Sequence, residues 1–171
     1  METVNVKVKK LNEKAVIPFY AKEGDACMDI TAIDLEYDLE HDRYIYHTGL
    51  AFEVPDGYFM DLRPRSSNTK SDFYIANAPG TLDSGYRGEL LVIYKRRDKI
   101  ALEDFGMLFK GCDPKRTMSA YINSMLSIAP YVPGERVCQM QVLPRPQIAF
   151  EEVEELSETE RGDGGFGSTG K

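Results

Sequence analysis

Val4, Val6 and Val8 alternate with Asn5 and Lys7 near the start of the chain. That period of two predicts a half-buried strand. Residues 49–64, GLAFEVPDGYFMDLRP, read as two strands on either side of a Pro55-Asp56-Gly57 turn. ELLVIYK, residues 89–95, is an apolar run of strand length, and Cys138, Met140 and Val142 alternate with Gln139 and Gln141. QIAFEEV, residues 147–153, continues the series after a Pro-Arg-Pro break. Short strands punctuated by glycine and proline along the whole length predict an all-β barrel or sandwich. One stretch has another rhythm. In CDPKRTMSAYINSMLS, Asp113 suits an N-cap and Pro114 the first helical position. Met118, Tyr121, Ile122 and Met125 then fall on one helical face, so a short helix is expected inside an insert of about residues 97–127.

Composition narrows the class. The 171 residues carry 42% hydrophobic positions, enough for one domain with a real core, expected over residues 1–150. No apolar run approaches the roughly 20 residues of a membrane span, and the first residues hold no apolar stretch of the signal-peptide kind. Cys27, Cys112 and Cys138 are far apart with no CxxC pair, which fits a reducing cytoplasm better than a disulfide or metal framework. His41 and His47 read as surface residues. A net charge of −7 argues against a broad nucleic-acid face, while a small anion held by local donors stays compatible with it.

Four clusters could carry chemistry. RPRSSNTK, residues 63–70, offers the forked cation of Arg65 with the hydroxyls and amides of Ser66 and Ser67, a donor set suited to phosphate oxygens. NAPGTLDSGYRGELLV, residues 77–92, sets Asp83 and Tyr86 on a turn whose Gly80, Gly85 and Gly88 would let backbone approach a ligand. A carboxylate at such a tip can serve as a general base toward water. GDACMDITA, residues 24–32, offers Asp25 and Asp29, acids able to hold magnesium through its water or else simply a loop pair of acids. GERVCQM, residues 134–140, offers the amide of Gln139. Each alone is an ordinary turn or strand; together they suggest a nucleotide site.

The last eleven residues, RGDGGFGSTGK, match most of a phosphate-binding GxxxxGK[ST] loop. No Ser or Thr follows Lys171, and the acidic EEVEELSETE before it is no buried strand, so that motif fails. A Phe framed by glycines, with Arg161 at the start and Ser168-Thr169 near the end, still has the parts to close over a flat ring and an anion.

In their order the five segments GDACMDITA, PRSSNTK, NAPGTLDSGYRGEL, GERVCQM and RGDGGFGSTG resemble the motifs of the trimeric dUTPase family. The resemblance implies a distorted, jelly-roll-like β-barrel, a homotrimer with active sites shared between subunits, and Mg²⁺-dependent hydrolysis of dUTP to dUMP and pyrophosphate. It implies that Asp83 activates the attacking water and that Tyr86 packs on the deoxyribose. Asn77 and the backbone around Thr81, Leu82 and Leu91 would meet the uracil edge. Arg65, Ser66, Ser67 and Gln139 would hold phosphates, and Asp29 a magnesium-bound water. Residues 151–171 would form an acidic linker and mobile lid, with Phe166 and Gly167 over the base and Arg161, Ser168 and Thr169 at the γ-phosphate. The chain departs from the family at Cys27, where glycine is usual, and at Met28, where an aromatic or Leu is usual. A residue with a side chain is strained there if the backbone is left-handed. The stretch between Gly88 and Gly134 is also longer than in compact members and resembles the insert of some phage members. Two other readings stand beside this one. A dCTP deaminase shares the fold, but the position matching its catalytic Glu is Ile93. A regulatory module would capture a protein partner through the insert, using Met107, Met118 and Met125 as an adaptable surface.

Overall fold

The structure is a computed structural model that describes residues 3–98 and 114–164. Ten strands are described: β1 (Lys7–Lys10), β2 (Met28–Thr31), β3 (Asp34–Asp38), β4 (Arg43–His47), β5 (Leu50–Glu53), β6 (Tyr58–Arg63), β7 (Phe73–Ile75), β8 (Gly80–Leu82), β9 (Leu91–Arg96) and β10 (Arg136–Pro144). A helix, α1, spans Pro114–Ser127, and a 3₁₀ turn spans Ser66–Lys70. All strand pairs are antiparallel. They form a four-stranded sheet in the order β2-β10-β6-β8, a second in the order β3-β4-β9-β7, and a two-stranded ribbon of β1 and β5.

The two larger sheets supply the core. β4 alternates cleanly, with Tyr44 and Tyr46 buried, and β9 sends Val92 and Tyr94 the same way. Ile30, Met60 and Met140 from the other sheet join them in one apolar cluster. Phenols are costly to bury unless bonded, and here each of these three buried hydroxyls finds a carbonyl. Tyr44 Oη donates to Met125 O at 3.0 Å, Tyr46 Oη to Tyr131 O at 2.9 Å and Tyr94 Oη to Val137 O at 2.7 Å. The three bonds tie the second sheet to α1, to the loop after it and to β10. Burial pushes the Tyr44 hydroxyl up to about 12, and raises Tyr46 and Tyr94 further.

Several expectations change. β5 and β6 flank the turn at Pro55–Gly57, where Gly57 has φ 82°, yet they do not pair; β5 joins β1 and β6 joins β10 and β8. QIAFEEV forms no strand, and Phe150 is 96% exposed, because its alternating apolar side chains meet no partner within the described chain. α1 forms at its expected place but buries a narrower face. Tyr121 and Met125 are inside, while Met118, one turn earlier, is exposed. Asp113, Met107 and Cys112 lie outside the described residues. Cys27 escapes the anticipated strain: among the described non-glycine residues only Asp42 has positive φ, and Gly24, three residues earlier, takes the left-handed turn at φ 87°.

Candidate active site

The segment from Asn77 to Leu91 builds a pocket of about 220 Å³. β8 pairs with β6, placing Gly80 opposite Leu62 and Thr81 opposite Asp61. Leu62 thereby walls the pocket with Asn77, Thr81, Leu82, Asp83, Tyr86 and Leu91. A side chain at Gly80 would press on Asn77 and Leu62, with Cβ contacts of 3.3 and 3.4 Å. Asp83 follows β8 directly, in a turn closed by the Tyr86 N–H donating to Asp83 O at 3.1 Å. Its carboxylate is exposed and makes no hydrogen bond or ion pair with the described residues. Tyr86 is 44% exposed, with its hydroxyl donating to Glu89 O at 3.1 Å. Gly88 admits the ring of Tyr86 rather than a ligand, since a Cβ there would overlap it. Gly85 borders open space.

A second cluster sits at the other side of the same sheet. Asp29 lies on β2, while Asp25 stays in a turn before it, accepting from Lys22 N. Across the sheet Asp29 is opposite Gln139, and Gln139 is opposite Arg63. A bulge between Arg136 and Cys138 buries both Val137 and Cys138 and swings Arg136 toward Asp29. Asp29 then receives two cations: Arg65 Nε at 2.8 Å on one oxygen and Arg136 Nη1 at 3.0 Å on the other. Arg65 also donates to Arg136 O and to Ser67 Oγ, and Gln139 donates to Pro64 O. Ser66 and Ser67 open the 3₁₀ turn directly after Arg65. The result is a braced cationic corner. Cys138 behind it is buried, and that burial raises its thiol far above the ordinary range.

The uracil-edge, sugar and water-activating candidates thus share one pocket, and the phosphate candidates share one corner. The pocket contains none of Arg65, Ser66, Ser67, Gln139 or Asp29. β2 and β8 are three strand spacings apart, about 14 Å. In the C-terminal segment, Arg161 folds back on its own turn, donating to Gly164 O at 2.9 Å. Phe166, Gly167, Ser168 and Thr169 lie outside the described residues. Sequence reasoning missed Arg136, although the quoted GERVCQM contains it, and missed Leu62, Glu89 and Leu90 in the pocket wall.

Three comparisons bear on these two regions. A protein-family model described as dUTPase matches residues 13–104. Curated relatives named deoxyuridine 5'-triphosphate nucleotidohydrolase include one from Nautilia profundicola, 37% identical over 98% of this chain and 100% of its own length. Another, from Clostridioides difficile, is 38% identical over 97% of this chain and 98% of its own. Among solved structures, the dUTPase of Staphylococcus bacteriophage 80alpha with dUPNHPP superposes with a TM-score of 0.69 at 23% identity, covering 99% of this chain and 100% of that one. A mutant dUTPase of phage phi11 of S. aureus, described with a structural Mg(II) ion, gives 0.60 at 19% identity, covering 88% and 97%. These likenesses show the jelly-roll type of fold.

Proposed function

The chain belongs to the dUTPase family and hydrolyses dUTP to dUMP and pyrophosphate, and we propose that its pocket and its cationic corner divide the work. The observation that carries this reading is the pocket itself: one free carboxylate, one aromatic wall and an amide-bearing side chain around about 220 Å³. That volume is below the roughly 300–1,000 Å³ of sites for drug-sized ligands. It suits a base and sugar, and leaves the triphosphate outside.

Asp83 then accepts a proton from the water that attacks the α-phosphorus; the bond to the α–β bridging oxygen breaks and pyrophosphate departs. Tyr86 lies against the deoxyribose and denies room to a 2′-hydroxyl. Asn77 and the backbone of Thr81, Leu82 and Leu91 meet the uracil edge, and the tight hairpin excludes the thymine methyl. Arg65, Ser66, Ser67, Gln139 and Arg136 hold phosphates. Arg161, Phe166, Gly167, Ser168 and Thr169 act as a lid that closes over base and γ-phosphate and excludes water.

Magnesium fits this arrangement as an ion carried by the substrate. No group of three or more acids, histidines or cysteines converges among the described residues, and Mg²⁺ commonly uses one or two carboxylates with substrate phosphates and waters. Each oxygen of Asp29 accepts one arginine bond and keeps acceptor capacity for a metal-bound water. When bound, the ion would neutralise charge on the phosphates.

A homotrimer with shared sites is part of the same reading. The separation of pocket and corner within one chain supports it, since another subunit's corner can complete each pocket. Ile148, Phe150 and Leu156 are exposed, apolar surface that a neighbouring subunit would cover. Residues 1–150 would be the barrel domain and 151–171 the linker and lid. The enzyme would work in the cytoplasm, keeping uracil out of DNA and supplying dUMP. The exposed Met118 on α1 favours a second role, capture of a protein partner by the insert.

The test is to incubate the protein with Mg²⁺ and dUTP, dTTP, dCTP or UTP separately and resolve the products by ion exchange. Formation of dUMP and pyrophosphate from dUTP alone is expected. Equal turnover of UTP would remove Tyr86 from its assigned role, and ammonia released from dCTP would move the chain to the deaminases. Met118→Glu, which leaves the buried Tyr121 and Met125 in place, is expected to abolish partner capture and spare hydrolysis if the insert is a separate capture surface.

A further inference from the structure

Between β8 and β9, the pocket wall that carries Tyr86 is also fastened to the turn between β4 and β5. The backbone of Leu90 donates to Leu50 O at 2.8 Å, and Thr48 Oγ1 donates to Leu90 O at 2.7 Å. Glu89 adds two side-chain bonds. Its Oε1 accepts the Gly49 N–H at 2.8 Å, and its Oε2 meets His47 Nδ1 at 3.1 Å. Gly49 sits in close surroundings. It has φ 65°, and a Cβ there would lie 2.6 Å from Ile33 and 3.1 Å from Ala15, so the chain around it is tightly enclosed. The carbonyl of the same Glu89 receives the Tyr86 hydroxyl, and His47 is the register partner of Leu91. One residue pair therefore touches both proposed specificity elements, the sugar-facing ring and the base-facing strand.

We infer that Glu89 and His47 form a positioning pair that sets Tyr86 and Leu91 for deoxyribose selection. This inference rests on the reading of Tyr86 as the sugar wall. Glu89 acts through its own main chain: with its carboxylate held by Gly49 and His47, its carbonyl stays where Tyr86 Oη can bond it. The ring then keeps its place beside the sugar. Releasing the carboxylate frees residue 89, the ring swings outward into solvent, and the space that a 2′-hydroxyl needs opens. A group that only stabilised the fold would change the yield of active protein and leave the choice between sugars untouched.

The experiment compares kcat/KM for dUTP and UTP in the full-length protein with Mg²⁺. Wild type is measured first; if it does not prefer dUTP, the reading of Tyr86 fails and the inference falls with it. Given a preference, Glu89→Ala is expected to erode the dUTP/UTP ratio about tenfold, mainly through a rise in kcat/KM for UTP, because the space that a 2′-hydroxyl needs has opened. Glu89→Gln keeps an acceptor for Gly49 N–H and is expected to stay within about threefold of wild type. His47→Ala should show a smaller loss, and the double variant should lose less than the product of the two singles, since groups in one network couple. If Glu89→Ala fails to fold, His47→Ala and Glu89→Gln decide. An unchanged dUTP/UTP ratio in folded Glu89→Ala, or in folded His47→Ala where only that variant folds, overturns the inference.

Discussion

Asp83 and Asp29 are two carboxylates on one sheet, held in opposite ways. Asp83 stands in a turn at the open end of β8, exposed and without a side-chain partner among the described residues. Asp29 lies on β2 between two arginines, with both oxygens in use. An unbonded acid beside a pocket is free to take a proton from water. An acid shared by two guanidiniums is better suited to orient them than to accept one. The difference teaches that the proposed base belongs to the loop, where its freedom costs the fold little, and the proposed phosphate corner belongs to the strands, where register fixes it.

Asp83→Asn is the sharpest way to break that contrast. It keeps the shape of the side chain and removes the proton acceptor. The expected loss in kcat is about 10²–10⁴-fold, the usual contribution of a positioned base, with thermal stability unchanged within about 0.5 kcal/mol, as for a surface position. A single-turnover assay beside a melting curve checks both halves. An unfolded or destabilised variant would show that Asp83 is also structural.

Asp29→Ala is expected to behave differently. Arg65 and Arg136 lose their shared counter-charge, and the corner can no longer hold one geometry. Activity should drop about tenfold to a hundredfold, chiefly through KM, because misplaced phosphate donors cost positioning. Unlike Asp83→Asn, this variant should also melt earlier. Arg65→Lys offers a check, since a single ammonium cannot reach Asp29 and a phosphate with the same fork.

Gly88→Ala tests the pocket from behind. The new methyl would overlap the Tyr86 ring. The exposed ring is the part that gives way, so stability should barely move while KM for dUTP rises about tenfold. If the Gly88→Ala variant kept full activity, the position of Tyr86 would matter less than the pocket implies.

How much of this was legible in the sequence follows from distance along the chain. Asn77, Asp83, Tyr86 and Leu91 fall within one turn and its flanks, so local signals already grouped them. Asp29, Arg65 and Arg136 meet only because β10 lies between β2 and β6. That choice of neighbour links residues more than a hundred positions apart, as Asp29 and Arg136 are, and periodicity does not encode it. His47 looked like a surface histidine because one of its two carboxylate partners, Glu89, is forty-two residues away and the other, Glu36, comes from the neighbouring strand β3. Arg136 needed the bulge to turn it toward Asp29, and nothing in GERVCQM marks where a strand will gain a residue. QIAFEEV has the right alternation for a strand but pairs with no strand among the described residues of its own chain.

The smallest effect is expected from Tyr94→Phe, which loosens the scaffold under the corner and leaves the pocket's β8 alone. Tyr94 Oη donates to Val137 O, next to Arg136 on β10. Removing the hydroxyl leaves a buried carbonyl unpaired, a loss of about 1–3 kcal/mol at neutral pH. KM should rise less than threefold, without a change in kcat, because the proposed phosphate corner shifts and the proposed base, Asp83, does not. The pH dependence gives this prediction its sign. Burial raises the Tyr94 hydroxyl above its ordinary value near 10, so the folded state holds a proton that the unfolded chain releases. Stability from that group is fully present below pH 10 and is lost as pH rises beyond it. Wild type therefore loses its advantage over the Phe variant above pH 10, and denaturant melts at pH 7 and pH 11 should show the gap narrowing. A gap that stayed constant with pH would mean that the Tyr94 proton is not held by the fold.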